Sequence, residues 1–318
     1  MIENLILLTI GLFILNLGAT GLVHGASNIA QRLGISPLIV GLTVVALGTS
    51  APEFVVSLLA VFKNQSGISI GNIIGSNIAN IALILGISAI ITPLKVDRHI
   101  ITKWMPILLG ITLLLGIFVR NGIFGSDEGW VFCTLAVGYI FLSIRSARSG
   151  DKSIPDNSDE ISSPSKSQLL DILAVVGGIA ALIWSSDIIV NASVGLMRIW
   201  GISETIIGLT LIAIGTSLPE LATSIVAAAK GHAEMCVGNI IGSNIFNTLF
   251  VLGGVALFGD ITFEADLINF HTWILIILTL FLFPILRTKF EVNKKEGAFL
   301  LICYSIFMAI VVMNPTWK

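Results

Sequence analysis

The chain has 318 residues, 55% hydrophobic and only 11% charged, with mean hydropathy +0.98 and a formal net charge of −2. A soluble protein carries roughly a quarter charged residues, so a water-soluble globular class is excluded, and the near-neutral charge leaves no basic footprint for nucleic acid. The expected fold class is an all-α polytopic membrane protein.

Apolar runs read against polar breaks predict ten transmembrane helices, over 3–32, 37–63, 66–93, 102–120, 127–146, 168–198, 204–230, 233–259, 268–287 and 296–314. Each approaches the ~20 apolar residues that a bilayer requires. The N-terminal Met1-Ile2-Glu3-Asn4 lacks the positive charge of a signal peptide, so the first run is expected to be a retained span. Residues 147–167, rich in Ser, Asp and Pro, read as a linker between a first five-helix unit (1–146) and a second (168–318). Its acidic cluster, Asp156 to Glu160, lacks the glycine and spacing of a calcium-binding EF-hand loop. Cys133, Cys236 and Cys303 are too scattered for a disulfide framework or a thiolate metal site. No H-E-x-x-H or G-x-S-x-G motif suggests a membrane enzyme.

Orientation follows from the basic residues of short loops. Thirteen of the 17 Lys and Arg residues, among them Arg32, Lys95, Arg98, Lys103, Arg145, Lys230, Arg287 and Lys289, fall on one side. Lys63, Arg120, Arg198 and Lys318 fall on the other. That asymmetry places the first group and the linker in the cytoplasm, and both termini outside a cell membrane.

An internal repeat organises these helices. Gly41–Gly86 realigns without gaps on Gly208–Gly253 at a constant offset of 167. GTSAPE and GTSLPE correspond, as do GNIIGSNIAN and GNIIGSNIFN. The identities concentrate on Gly, Ser, Thr, Asn, Pro and Glu, which lipid-facing filler would not repeat so selectively. Five spans per unit make the second copy enter the membrane from the opposite side. This is an inverted repeat, and transporters so built place their site near the midplane between the repeats.

Glu53 and Glu220 lie within apolar spans, where an ionisable group is costly, and no intramembrane Lys or Arg is placed to neutralise them. Two carboxylates among oxygen donors suit a hard cation such as Ca2+ or Na+. A structural reading also fits: Ser50-Ala51-Pro52-Glu53 and Ser217-Leu218-Pro219-Glu220 match the S-x-x-E capping box. Both hold if Gly48-Thr49-Ser50 breaks the helix, Ser50 caps the restarted half and freed carbonyls line the site. Asn72, Ser76 and Asn80 share one helix face, repeated by Asn239, Ser243 and Asn247. They are either interhelical glue or site-lining groups, with the Ser76/Asn80 and Ser243/Asn247 pairs favoured as ligands. Gly71-x-x-x-Gly75 and Gly238-x-x-x-Gly242 read as close-packing motifs. Asp187, aligned with Thr20, lacks an acidic mate and is expected near the outer mouth or in a local hydrogen bond.

These segments resemble the alpha repeats of the calcium/cation antiporter superfamily, most closely its prokaryotic sodium/calcium exchanger branch. The resemblance implies a ten-helix fold exchanging Ca2+ for Na+ by alternating access, with the ions as cargo and no cofactor. It implies Glu53 and Glu220 as calcium-coordinating acids, with Thr49, Ser50, Ser76, Thr216, Ser217, Ser243 and the carbonyls of Ala46 and Ala213 as oxygen donors. Asn80 and Asn247 match the family's central positions. Asn247 stands where the potassium-dependent branch typically carries Asp, so potassium dependence is not expected. Ile-Ile-Gly after Gly71-Asn72 and Gly238-Asn239 replaces the acidic pattern of proton-coupled members and favours Na+. A proton/calcium antiporter and a cation channel remain the alternatives.

Overall fold

The computed structural model describes residues 1–148, 167–200 and 213–313. Most of the expected linker, the beginning of the seventh span (204–212) and the last five residues lie outside the described residues. Among the described residues, nine helices are long and apolar enough to cross a bilayer. They are α1 (Ile2–Leu33), α2 (Pro37–Phe62), α3 (Ser66–Ile91), α4 (Ile100–Asn121), α5 (Ser126–Ala147), α6 (Gln168–Ile199), α8 (Ala233–Ala256), α9 (Ile268–Arg287) and α10 (Lys294–Met313). The described part of α7 comprises Ala213–Thr216 and Leu218–Ala229. With α7 counted, the layout accords with the expected ten.

Local chemistry sets the turns. Gly34 ends α1 in the left-handed region at φ 63°, where a Cβ would be strained, and its N–H bonds the carbonyl of Gln31 at 3.2 Å. Two residues later the Ser36 hydroxyl accepts from Ile39 N–H at 3.3 Å, with Pro37 in the first helical turn, so α2 starts cleanly. At 32 residues each, α1 and α6 are about 48 Å long. That exceeds the roughly 30 Å hydrocarbon core, so they must tilt.

α1 and α6 pack on each other along their length. A Cβ added at Gly178 would lie 2.7 Å from the Leu22 nitrogen, so the glycine lets the backbones approach. One end of this pair is fastened by a half-buried ion pair that the sequence reading did not single out. Arg32 Nε donates to Asp171 Oδ2 at 2.9 Å, and Asn28 donates to Asp171 Oδ1 at 2.8 Å.

Four two-residue strands tie the units together. They are β1 (Leu94–Lys95), β2 (Ile123–Phe124), β3 (Ile261–Thr262) and β4 (Glu291–Val292). β1 pairs antiparallel with β4, and β2 with β3. At the repeat offset β1 corresponds to β3 and β2 to within a residue of β4, so each ribbon is the image of the other. One ribbon joins the α3–α4 loop to the α9–α10 loop, and its image joins the α4–α5 loop to the α8–α9 loop. α4 and α9 each run between the two ribbons. This exchange is what an inverted repeat requires.

The symmetry fails where glycines pack. A Cβ at Gly238 would lie 2.6 Å from the Leu38 carbonyl oxygen, and one at Gly242 2.7 Å from that of Leu42, so α8 presses its backbone onto the first half of α2. In the first copy Gly71 is exposed, and a Cβ there would meet nothing within 4 Å. Close packing therefore holds for the second copy's motif and not for Gly71. Gly238→Ala should cost about 1–3 kcal/mol by overpacking, whereas Gly71→Ala should be neutral or slightly stabilising. Thermal unfolding of both variants in detergent checks this, and equal losses would contradict the packing difference.

Candidate functional site

Both site helices break at the positions expected. α2 is interrupted at Ser50 and α7 at Ser217. Pro52 and Pro219 have no N–H to offer the carbonyls of Gly48 and Gly215 four residues earlier, so the helical ladder cannot continue there. The restarted halves carry Glu53 and Glu220 in their first turns, where the positive end of the helix dipole favours a carboxylate. Neither glutamate exposes any surface, and neither has an ion-pair partner among the described residues.

The two halves meet through reciprocal hydrogen bonds. Ser50 Oγ donates to Glu220 Oε1 at 3.0 Å, and Ser217 Oγ donates to Glu53 Oε1 at 3.3 Å. Thr216 Oγ1 donates to Asn72 Oδ1 at 3.1 Å, and Thr49 Oγ1 faces Asn239 Oδ1 at 3.4 Å. Asn72 and Asn239 turn their amide groups back onto Ser57 and Ser224 at 3.2 and 3.1 Å. Each bond has its image at the offset of 167, so the site has a pseudo-two-fold axis through its centre. Ser76 adds a contact to Glu53 Oε1 at 3.4 Å and another to Thr216 at 3.4 Å.

This geometry corrects the capping-box expectation. Ser50 and Ser217 precede the restarted helices but make no side-chain cap to them. Their hydroxyls are spent on the opposite repeat's carboxylate, which is the better acceptor because a charge-assisted bond is the stronger one. The Ala46 carbonyl accepts from Ser50 N–H at 3.0 Å and from Thr49 Oγ1 at 3.4 Å, so both of its lone pairs are engaged. It could serve an ion only if Thr49 turned away. Ala213 opens the described half-helix of α7.

Asn80 and Asn247 stand apart from these bonds. Both are completely buried, and neither the oxygen nor the nitrogen of either amide finds a partner among the described residues. The second carboxylate oxygens, Glu53 Oε2 and Glu220 Oε2, are in the same condition. Ser243 is fully buried on the Asn247 face of α8. Leaving such atoms unpaired costs about 1–3 kcal/mol each, so four helices, α2, α3, α7 and α8, bringing them together would be a poor design for structure alone. Both asparagines lie in wide π-type turns, Ala79–Ile84 in α3 and Asn247–Leu252 in α8. Such turns inside α-helices concentrate at functional sites, and here the same device occurs in both copies.

A third π-type turn, Gly41–Val45, precedes the break in α2. There Tyr139 of α5 donates its hydroxyl to the Leu42 carbonyl at 2.7 Å, with its ring edge-on to Trp104 and Phe246. Ser57 and Ser224 were missed in the sequence although they repeat at the offset. Asn77 differs from its mate: it donates to Thr248 at 2.9 Å, whereas both amide atoms of Asn244 lack a partner. Asp187 is exposed on α6.

Comparison with known proteins agrees with this two-fold plan. A family model described as sodium/calcium exchanger protein matches twice, over residues 3–145 and 170–313. The sodium/calcium exchanger MaX1 of Methanosarcina acetivorans is 32% identical, across 97% of this chain and 98% of its own. Inner membrane protein YrbG of Escherichia coli is 38% identical over 79% of this chain and 78% of its own. Among solved structures, the sodium-calcium exchanger NCX_Mj soaked with Na+ and Sr2+ superposes with a TM-score of 0.84 at 31% identity, covering 96% of this chain and 97% of that one.

The reciprocal bonds make a stability prediction. Thr49→Val or Thr216→Val leaves a buried asparagine oxygen unpaired and should cost about 1–3 kcal/mol. The two losses should be of similar size, because the bonds are images of each other. Chemical unfolding in detergent measures both, and a loss confined to one variant would refute the symmetry.

Proposed function

The chain belongs to the sodium/calcium exchanger family of membrane transporters, and on that premise we propose that it exchanges Ca2+ for Na+ with Glu53 and Glu220 binding the transported ion. It is a multi-pass membrane antiporter and not an enzyme. The observation that carries the site assignment is the pair of fully buried glutamates with no basic partner. Each keeps one oxygen free of hydrogen bonds among the described residues, as do the amides of Asn80 and Asn247. Ca2+ takes 6–8 oxygen ligands. The carboxylates, the two asparagine oxygens and the hydroxyls of Thr49, Ser50, Ser76, Thr216, Ser217 and Ser243 supply that number, with the carbonyls of Ala46 and Ala213 in reserve.

Exchange then follows from charge. An empty site with two ionised carboxylates is costly to close off in a membrane, so it changes sides chiefly when one Ca2+ or several Na+ neutralise it. Competition for the same oxygens keeps the two loads exclusive. Burial of the glutamates from both faces supports alternating access over a continuous pore, which would need an open ring-lined pathway. Gly75 and Gly242 stand where the G-N-x-x-E pattern of the proton-coupled members it resembles places an acid, which favours Na+ over protons as the coupling ion. The face bearing the β1–β4 ribbon, with Arg32, Lys95, Arg98 and Lys289, is assigned to the cytoplasm of a cell membrane, and both termini to the outside.

The test is Ca2+ uptake into proteoliposomes under an imposed Na+ gradient or an imposed pH gradient. Uptake should follow Na+, and uptake that followed pH alone would transfer the reading to proton coupling. Glu53→Gln and Glu220→Gln should each abolish uptake while the protein still inserts, because one carboxylate cannot neutralise a divalent ion. Near-normal exchange in either variant would remove that residue from the site. With Asn at both 80 and 247 the site holds two acids, so Na+-driven uptake should proceed without added K+. Strict K+ dependence would show that these positions do not set the site's charge.

A further inference from the structure

The two ribbons that tie the repeats are images in backbone and opposites in chemistry. On one face the chain passes from α9 into β4 through Thr288-Lys289-Phe290-Glu291. Lys289 and Phe290 both adopt left-handed backbone, at φ 55° and 53°, and Glu291 N–H closes the turn on the Thr288 carbonyl at 3.2 Å. The Phe290 carbonyl accepts from Val96 N–H at 2.8 Å, beside β1. On the other face the Gly122 carbonyl accepts from Phe263 N–H at 3.0 Å, so Gly122, at φ 77°, is the image of Phe290. A glycine takes this conformation freely, whereas a bulky side chain is strained in it.

The helix that follows repeats the contrast. α10 opens with Lys294 and Lys295, against the positive end of its dipole, while its image α5 opens with Ser126 and Asp127, which the dipole favours. The Arg98 guanidinium stacks 5.2 Å from the centre of the Phe290 ring, and the offset places Ala265 at its image. Arg98, Lys289, Lys294 and Lys295 are all exposed, and none forms an ion pair among the described residues. Two neighbouring acids are engaged locally: Asp97 pairs with His99 at 2.8 Å, and Glu296 accepts from Asn293 N–H at 2.8 Å. One turn thus carries two locally unfavourable choices, a left-handed Phe and a Lys pair at a helix start. Nothing among the described residues offsets them, and such departures from local consistency mark functional positions.

We infer that the α9–α10 turn docks the headgroup phosphate of an anionic phospholipid, met by Arg98, Lys289, Lys294 and Lys295, with Phe290 holding Arg98 in place beneath the acyl boundary. The turn runs from Arg287, which ends one span, to Lys294, which opens the next, so it lies at headgroup level. Each Lys or Arg at that level is attracted by an anionic leaflet. The occupant is a lipid and not a free phosphate because a 38% exposed aromatic ring beside the charges suits the edge of the acyl region and gains nothing from a small hydrated anion. On the opposite face Asp127, Asp260 and Glu264 are exposed around the image ribbon and repel the same headgroup. Lipid therefore anchors the protein on one face only, at a ribbon that joins its two repeats.

Quenching of a probe at the turn tests this in the full chain. Cys133, Cys236 and Cys303 are replaced by Ala, Thr288→Cys is labelled with bimane, and the protein is placed in phosphatidylcholine vesicles. Brominated phosphatidylglycerol should quench the probe at a mole fraction about fivefold lower than brominated phosphatidylcholine does, and high salt should shrink the difference. Lys289→Gln should cut the preference about threefold. Phe290→Gly should cut it similarly while unfolding no earlier than its parent, because the strain is relieved, and Phe290→Tyr should retain it. Equal quenching by the two lipids, or a preference untouched by both Lys289→Gln and Phe290→Gly, would overturn the inference. Loss of the preference in millimolar inorganic phosphate at constant ionic strength would make a free anion the ligand and overturn it as well. A preference that emerged only after Asp156, Asp159 and Glu160 were neutralised would give the surface to the linker instead of to lipid.

Discussion

Two carboxylates held in a hydrocarbon-depth interior without a basic neighbour impose the constraint on which the rest of the architecture turns. On the proposed reading their charge is met by the transported ion, and the chain must meanwhile keep them from collapsing onto lipid or onto each other. It does so with neutral dipoles: a serine hydroxyl from the opposite repeat on each glutamate, a helix N-terminus behind each, and a threonine–asparagine–serine chain bracing each break. None of these groups cancels the charge. They hold it in place while leaving Glu53 Oε2 and Glu220 Oε2 unengaged.

Much of this was legible in the sequence because the repeat writes the polar residues twice. The offset of 167 identified the break at Ser50 and Ser217, the two glutamates and the paired asparagines. It could not say which residue meets which across the two-fold axis. A sequence offset defines equivalence, whereas contact depends on how two inverted copies face each other. The S-x-x-E pattern therefore read as a local cap, when the hydroxyls in fact reach across the interface to a stronger acceptor. The β1–β4 and β2–β3 ribbons were invisible for another reason: two-residue strands are too short to show any alternation. Asp171 was overlooked because an acid at a helix start looks like ordinary dipole chemistry, and only the fold brings Arg32 to it from 139 residues away.

In the proposed site, the π-type turns at Asn80 and Asn247 let amides serve where the glutamates supply the charge. A widened turn lets a side chain project from a helix that is otherwise packed on all sides, as α8 is over its whole described length from Ala233 to Val255 save two positions. An amide oxygen offers a cation a lone pair without adding a third negative charge to be neutralised. The number of acids and the number of oxygens are thus set independently, the first by Glu53 and Glu220 and the second by the neutral residues around them.

Symmetry in bonding with asymmetry in packing is the combination that alternating access needs. The hydrogen bonds around the glutamates are nearly equal in the two halves, so the site itself has little preference for one arrangement. The flanks differ: Gly238 is pressed onto the backbone of α2, whereas its mate Gly71 is exposed and meets nothing among the described residues. Because both copies carry G-N-I-I-G-S-N, each sequence can in principle adopt the packed or the open form. Exchanging those roles would present the same oxygens to the opposite face. Residues outside the repeat identity then bias the balance. Tyr139 bonds the Leu42 carbonyl where its equivalent is Phe307, the offset being 168 in α5 and α10 as Gly129 and Gly297 show, and a phenylalanine ring has no hydroxyl to give. On the alternating-access reading, a bond present on one side only stabilises the arrangement in which it forms, and the two arrangements are unequal in free energy.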